Sequence, residues 1–209
     1  MRVVVWGAGY WGKKYISELA GNLIGVIEPN EKTAAQVKEQ YNVQVWPALP
    51  DGVKYDGAII ATPPDSHVRL AESVLKTGRY ALVEKPLATS ETEALILLPY
   101  RKRCMAGHIY LYHPAIEELR DVIHNGLVDH IFCRRTNDGP VRPWGDAMYD
   151  LMAHDISILN FALGLPIYVS TSGHRNWACS HIEYPGIDAM VYVSWIGGPK
   201  VRTIEVAFQ

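Results

Sequence analysis

Val3-Val4-Val5-Trp6-Gly7-Ala8-Gly9-Tyr10-Trp11-Gly12 is the stretch that decides the fold. A short apolar strand runs into a turn with glycine at its first, third and sixth positions, and a helical pattern (Ile16, Leu19) follows. Each glycine has a job: Gly7 turns the chain sharply off the strand, Gly9 has no Cβ to block a pyrophosphate, and Gly12 lets the helix pack close to the sheet. The free N–H groups of the helix start favour phosphate. A second apolar strand, Leu23 to Ile27, ends in Glu28. That carboxylate is placed to accept bonds from ribose hydroxyls and repels a ribose phosphate, while Pro29-Asn30 supplies no arginine. A dinucleotide site is therefore expected, made by Gly7, Gly9, Tyr10, Trp11, Gly12 and Glu28, with NAD favoured over NADP.

The rest of the composition agrees with a small-molecule protein. The chain has 209 residues, 48% of them hydrophobic and 20% charged, with a formal net charge of −2. That charge is too balanced for a nucleic-acid or anionic-membrane footprint, so neither partner is expected. No apolar stretch reaches bilayer length and the N-terminus reads as a strand, so the expected location is cytoplasmic. Cys104, Cys133 and Cys179 are odd in number and widely spaced, which reads as free thiols without metal or disulfide chemistry.

Apolar runs alternate with helical periodicity through the first half, the signature of a doubly wound parallel sheet. A helix is expected from about Glu31 to Gln40, strands at Val43 to Trp46, Gly57 to Ala61 and Tyr80 to Val83, and a helix from Asp65 to Lys76 closed by Gly78. Two strands stop at polar clusters, Thr62-Pro63-Pro64-Asp65 and Glu84-Lys85-Pro86. The carboxyl ends of strands line the ligand crevice of such a sheet, so both clusters are expected to face the cofactor.

With Gly7 to Gly12, Ala61-Thr62-Pro63-Pro64 and His67, Glu84-Lys85-Pro86, Gly107-His108, and Asp150 through His154-Asp155 in this order, the chain resembles the Gfo/Idh/MocA family of NAD(P)-dependent oxidoreductases, which includes glucose-fructose oxidoreductase and inositol dehydrogenase. The resemblance implies a Rossmann domain over 1–108 and an α+β domain over 109–209 whose open, mostly antiparallel sheet carries the substrate wall and commonly an oligomer interface. It adds Thr62, Pro63, His67, Glu84 and Lys85 to the cofactor side, places Lys85 in the active site beside a cis bond to Pro86, and implies a homo-oligomer, dimer or tetramer. It also implies a shortened second domain, with a strand lost around Ile187 to Trp195, in a chain that is either a trimmed variant or a fragment.

The second half carries its own chemistry. Asp146 to Leu163 reads as one helix, capped by Asp146 and stopped by Gly164, which puts Asp150 and His154 on one face. A neutral imidazole can take the proton of a sugar hydroxyl while hydride leaves. Lys85 would stabilise alkoxide charge, and Asp150 would orient or relay. Asp155 lacks a third well-spaced ligand, so no metal is expected. His108 is read as ending the last strand of the first domain, either bordering the nicotinamide or serving as a hydrogen-bonded structural histidine. The stretch from Arg135 through Arg142 and Trp144 to Ser157 resembles the family branch acting on nucleotide-linked amino sugars, which implies 3-oxidation of UDP-N-acetylglucosamine or its uronate. Arg135, Arg142, Lys200 and Arg202 would then supply cations suited to a diphosphate, and Tyr112 and Trp144 a sugar or uracil face. The alternative of a different kind is a non-catalytic NAD(P)-sensing regulatory module.

Overall fold

The computed structural model describes residues 1–142, 145–196 and 198–209. They fall into two units, Met1–Gly107 and His108–Gln209.

In the first unit the strands are β1 (Val3–Trp6), β2 (Leu23–Ile27), β3 (Val45–Trp46), β4 (Gly57–Ile60), β5 (Tyr80–Val83) and β6 (Cys104–Ala106). They form one sheet in the order β3-β2-β1-β4-β5-β6, parallel at every junction. The helices are α1 (Tyr10–Leu19), α2 (Glu31–Tyr41), α3 (His67–Lys76) and α4 (Glu91–Leu97). Because strand side chains alternate between faces, Val3 and Val5 of β1 join one core with Ile16 of α1 and Val37 of α2. Val4 and Trp6 join the other, with Val68, Ala71, Val74 and Leu75 of α3. Both faces of β1 are buried, as a central parallel strand requires. The strand order reverses at β1 and β4, which places the loops after these two strands at the switch point of the sheet.

Several boundaries differ from the sequence reading. Asn42 ends α2 in a left-handed conformation (φ +50°), and only Val45 and Trp46 of the expected Val43–Trp46 strand pair with β2. The helix expected from Asp65 starts at His67, after a 3-10 turn at Pro64–Ser66 led by Pro63 and Pro64. His108 does not end a strand: β6 stops at Ala106, and His108 leads a 3-10 turn at Ile109–Tyr112.

The second unit contains α5 (Pro114–Asn125), β7 (Val128–Thr136), a π-helical turn at Met148–Met152, α6 (Ala153–Leu163), β8 (Tyr168–His174), β9 (Trp177–Tyr184), β10 (Ile187–Ser194) and β11 (Val201–Phe208). The sheet order is β11-β7-β10-β9-β8, with β7 and β10 parallel and the other pairs antiparallel. Ile187–Ser194, where the resemblance implies a missing strand, is the central strand of this sheet. One face packs on the helices: Ala178, Ile182 and Tyr184 of β9 and Val191 and Val193 of β10 share a core with Ile123 of α5 and Leu159 and Ala162 of α6. The alternation along β9 leaves Trp177, Cys179, His181 and Glu183 on the opposite, more open face. Among the described residues no helix is long and apolar enough to cross a membrane.

Candidate active site

The glycine loop shows which of its three positions the protein needs for its own packing. Gly7 lies at φ +86°, and a Cβ there would stand 2.7 Å from the Ala61 carbonyl oxygen at the end of β4. A Cβ on Gly12 would run into the Gly7 carbonyl, so the helix and the turn meet backbone to backbone. At Gly9 a Cβ would meet nothing within 4 Å. Packing therefore explains glycine at positions 7 and 12, and Gly9 leaves a cradle open to a ligand. Lys13 N–H donates to Gly9 O at 3.0 Å, which leaves the earlier amides of α1 without intrahelical acceptors and suited to an anion.

Glu28 fastens the loop. Its Oε2 accepts from Ala8 N–H and its Oε1 from Asn30 N–H, both at 2.9 Å. A carboxylate offers about four lone-pair directions, so capacity remains for ribose hydroxyls. Asn30 in turn caps α2 by accepting from Thr33 N–H. Tyr10 is 74% exposed, and the Lys14 ammonium stands over its ring at 5.0 Å and over that of Trp11 at 5.7 Å. These residues fit the phosphate and ribose ends of a dinucleotide.

The two polar strand ends are tied to each other by His67. Its ring is 1% exposed, with Nδ1 2.8 Å from Pro86 O and Nε2 2.8 Å from Thr62 O. Expected on the cofactor side, His67 is enclosed and presents its ring to main-chain carbonyls, so it acts on a ligand only by holding these loops. Thr62 Oγ1 and Ser66 Oγ are hydrogen-bonded at 2.6 Å, and Pro63 is exposed. Glu84 is buried: its Oε1 accepts from Tyr15 O–H at 2.6 Å and its Oε2 from Lys85 N–H at 3.1 Å. Burial, reinforced by the Glu84 bond and charge, pushes the Tyr15 phenol well above its ordinary range. Lys85 is half-buried and its bond to Pro86 is cis.

In the second unit, Asp146 caps the helical stretch as expected, accepting from Tyr149 N–H at 2.9 Å. The stretch is not one α-helix, however. Asp150 lies in the π-helical turn and His154 one turn on, at the start of α6. Insertions of this kind recur at functional sites because they re-aim side chains. Asp150 is 6% exposed, accepts from the indole N–H of Trp195 at 3.0 Å and lies 3.9 Å from Arg142 Nε. His154 packs edge-on against Tyr110, with ring centroids 4.9 Å apart.

Of the expected substrate contacts, Tyr112 and Arg142 are exposed, and Trp144 lies outside the described residues. Arg135 is displaced from its expected role. It is 3% exposed and donates from Nε and Nη2 to the two oxygens of Asp155, each at 2.8 Å. With its charge engaged inside the unit, it offers no cation to a diphosphate. Its Cζ also lies 4.6 Å from the Tyr110 ring centroid. Burial raises the Tyr110 phenol, but the neighbouring charges of Arg135 and Arg202 outweigh that and bring it below its ordinary value. Tyr15 and Tyr110, which meet Glu84 and His154, do not stand out in the sequence, since each meets a partner far away in the chain, whereas Trp195, expected in the core, is fully buried there. The β9–β10 register also brings ligand atoms of His181, Glu183 and Asp188 within 4.8 Å of one another on the open face.

Residues 1–104 match the Gfo/Idh/MocA family, described as an oxidoreductase family with an NAD-binding Rossmann fold. Over 185 residues the chain is 30% identical to a UDP-N-acetylglucosamine 3-dehydrogenase of Acidithiobacillus ferrooxidans, covering 83% of this chain and 58% of that protein. An inositol 2-dehydrogenase of Saccharopolyspora erythraea is 25% identical over 82% of this chain and 56% of its own length. The chain thus spans little more than half of these relatives. A solved structure of the Acidithiobacillus ferrooxidans UDP-N-acetylglucosamine 3-dehydrogenase superposes with a TM-score of 0.86 at 26% identity, covering all of this chain and 74% of the other.

Proposed function

Because the chain belongs to the Gfo/Idh/MocA family, whose Rossmann fold binds NAD, we propose that it is an NAD-dependent dehydrogenase moving hydride between nicotinamide and a secondary ring hydroxyl of a sugar. The substrate we propose is a nucleotide-linked amino sugar such as UDP-N-acetylglucosamine or its uronate, oxidised at the 3-position. The open cradle at Gly9, between two glycines that packing itself requires, carries the reading. Glu28 supports the choice of NAD over NADP, since a ribose phosphate would meet its charge. The 30% identity to a UDP-N-acetylglucosamine 3-dehydrogenase supports the substrate class.

Bound nicotinamide would supply the hydride acceptor. His154 takes the proton of the substrate hydroxyl at an imidazole nitrogen, and Lys85 stabilises the developing alkoxide. Asp150, held by the Trp195 indole, orients the base. Arg142, Tyr112 and Trp144 are proposed for the nucleotide and sugar.

The test is NADH formation, followed by absorbance, with NAD and a panel of UDP-sugars. Turnover is expected, and Lys85→Ala and His154→Ala should each lower kcat by about 100-fold or more, the usual range for a lost acid–base group. Undiminished turnover in either variant removes that residue's role. NAD binding without turnover on any sugar points instead to a sensing module. Sedimentation should show a homo-oligomer, dimer or tetramer, and a monomer at high concentration overturns that expectation.

A further inference from the structure

Four side chains of the second unit form a column that the proposed reaction leaves unused except at its end. Asp155 in α6 grips Arg135 in β7 through two 2.8 Å bonds, and both residues are almost wholly buried. The Arg135 guanidinium lies against the Tyr110 ring, 4.6 Å from its centroid. Tyr110 in turn meets the His154 imidazole at 4.9 Å between centroids and 76° between planes.

We propose that Tyr110 is a positioning residue for His154, its ring fixing the plane in which the imidazole takes the substrate proton. The proposal rests on the reading of His154 as the base. The second side-chain torsion of histidine is broad and cheap to rotate, so a base on a helix keeps its aim where hydrogen bonds and a packed side chain together fix the ring. Tyr110 is that side chain. The two-bond fork of Arg135 on Asp155 is rigid in angle as well as distance, and it holds Tyr110 from the other side. Asp155 also follows His154 directly in the chain. The same guanidinium therefore references the imidazole twice, through the backbone that carries it and through the ring it packs on. Arg202, the cross-strand partner of Arg135, bonds Asn137 at 3.0 Å and also acts on the Tyr110 hydroxyl end of the column.

A planar ring is what this role requires, so the conservative variant separates it from simple packing. Tyr110→Phe should keep kcat within about threefold of wild type, while Tyr110→Leu should lower kcat roughly 10- to 100-fold at nearly unchanged KM, as small misplacements of catalytic groups do. Should Tyr110→Leu fail to fold, Tyr110→Met, which fills the volume without a plane, should show the same split. Wild-type kcat in the Leu or Met variant, beside an inactive His154→Ala, overturns the inference while sparing the base. An equal loss in Tyr110→Phe assigns the effect to the hydroxyl and overturns it too. Full activity of His154→Ala removes the base itself, and the positioning role with it.

Discussion

The two units hold their functional groups by opposite means. In residues 1–107 the groups suited to a cofactor are mostly main chain: helix-start amides, a turn held against Ala61, and a gap at Gly9 where a side chain would project. In residues 108–209 they are side chains aimed by other buried side chains: Asp150 by Trp195, and Tyr110 by Arg135 and Asp155. A backbone site demands particular residues at particular steps of a short segment. A side-chain site demands only that distant residues meet, and it stakes stability on each buried pair.

The largest expected effect tests that stake. Arg135→Met leaves the Asp155 carboxylate buried without its partner, which should cost about 3–5 kcal/mol of unfolding free energy in urea titration. Adding Asp155→Leu should restore most of the loss, because two apolar side chains can replace a buried pair nearly neutrally. A loss below about 1 kcal/mol in the single variant would mean that the pair does not anchor the unit.

Next comes the backbone site. Gly9→Ala should leave stability within about 0.5 kcal/mol, since a Cβ there meets nothing within 4 Å. NAD affinity should fall about 100-fold, the equivalent of two charge-assisted hydrogen bonds of roughly 1.5 kcal/mol. Gly12→Ala should do the reverse in part, lowering the melting temperature itself, because its Cβ meets the Gly7 carbonyl. Equal losses of stability in both variants would erase the distinction between packing and ligand glycines.

The smallest effect compares one hydrogen-bonded phenol in each unit. Tyr15 donates to the charged Glu84, and Tyr184, pushed up to about 12 chiefly by burial, donates to the neutral Asn160 at 2.8 Å. A phenol whose folded pKa is raised contributes stability fully present below its unfolded value, about 10, and lost as pH climbs toward the folded value. The Cys133 thiol, raised by burial and then by Asp155, begins the decline somewhat earlier. Unfolding free energy should thus fall above about pH 9, and Tyr15→Phe, costing about 1 kcal/mol at neutral pH, should flatten the slope above pH 10. An unchanged alkaline slope in both Tyr15→Phe and Tyr184→Phe would remove the phenols from the account.

How much was legible follows the same divide. The strand, turn and helix around Gly7, the carboxylate at Glu28 and the cap at Asp146 could be read directly, because each is satisfied within a few residues or by a fixed motif. His67 could be noticed but not placed, since its two partners lie at Thr62 and Pro86 and only the fold brings them to one ring. Arg135 looked like an exposed cation because nothing nearby in the chain announces Asp155, twenty residues on. The π-helical turn at Met148–Met152 is invisible to periodicity, as one inserted residue leaves the apolar pattern readable as a helix.

The sequence by itself determined the doubly wound sheet, the dinucleotide turn and the order of the motifs, because glycine spacing and apolar periodicity act through local sterics that no distant contact needs to complete. Only the tertiary structure decided which charges face outward and which are consumed inside. Burial makes an unpaired ion costly, so the identity of the partner, and not the residue's own type, settles whether an arginine meets a ligand or packs on a tyrosine beside a histidine.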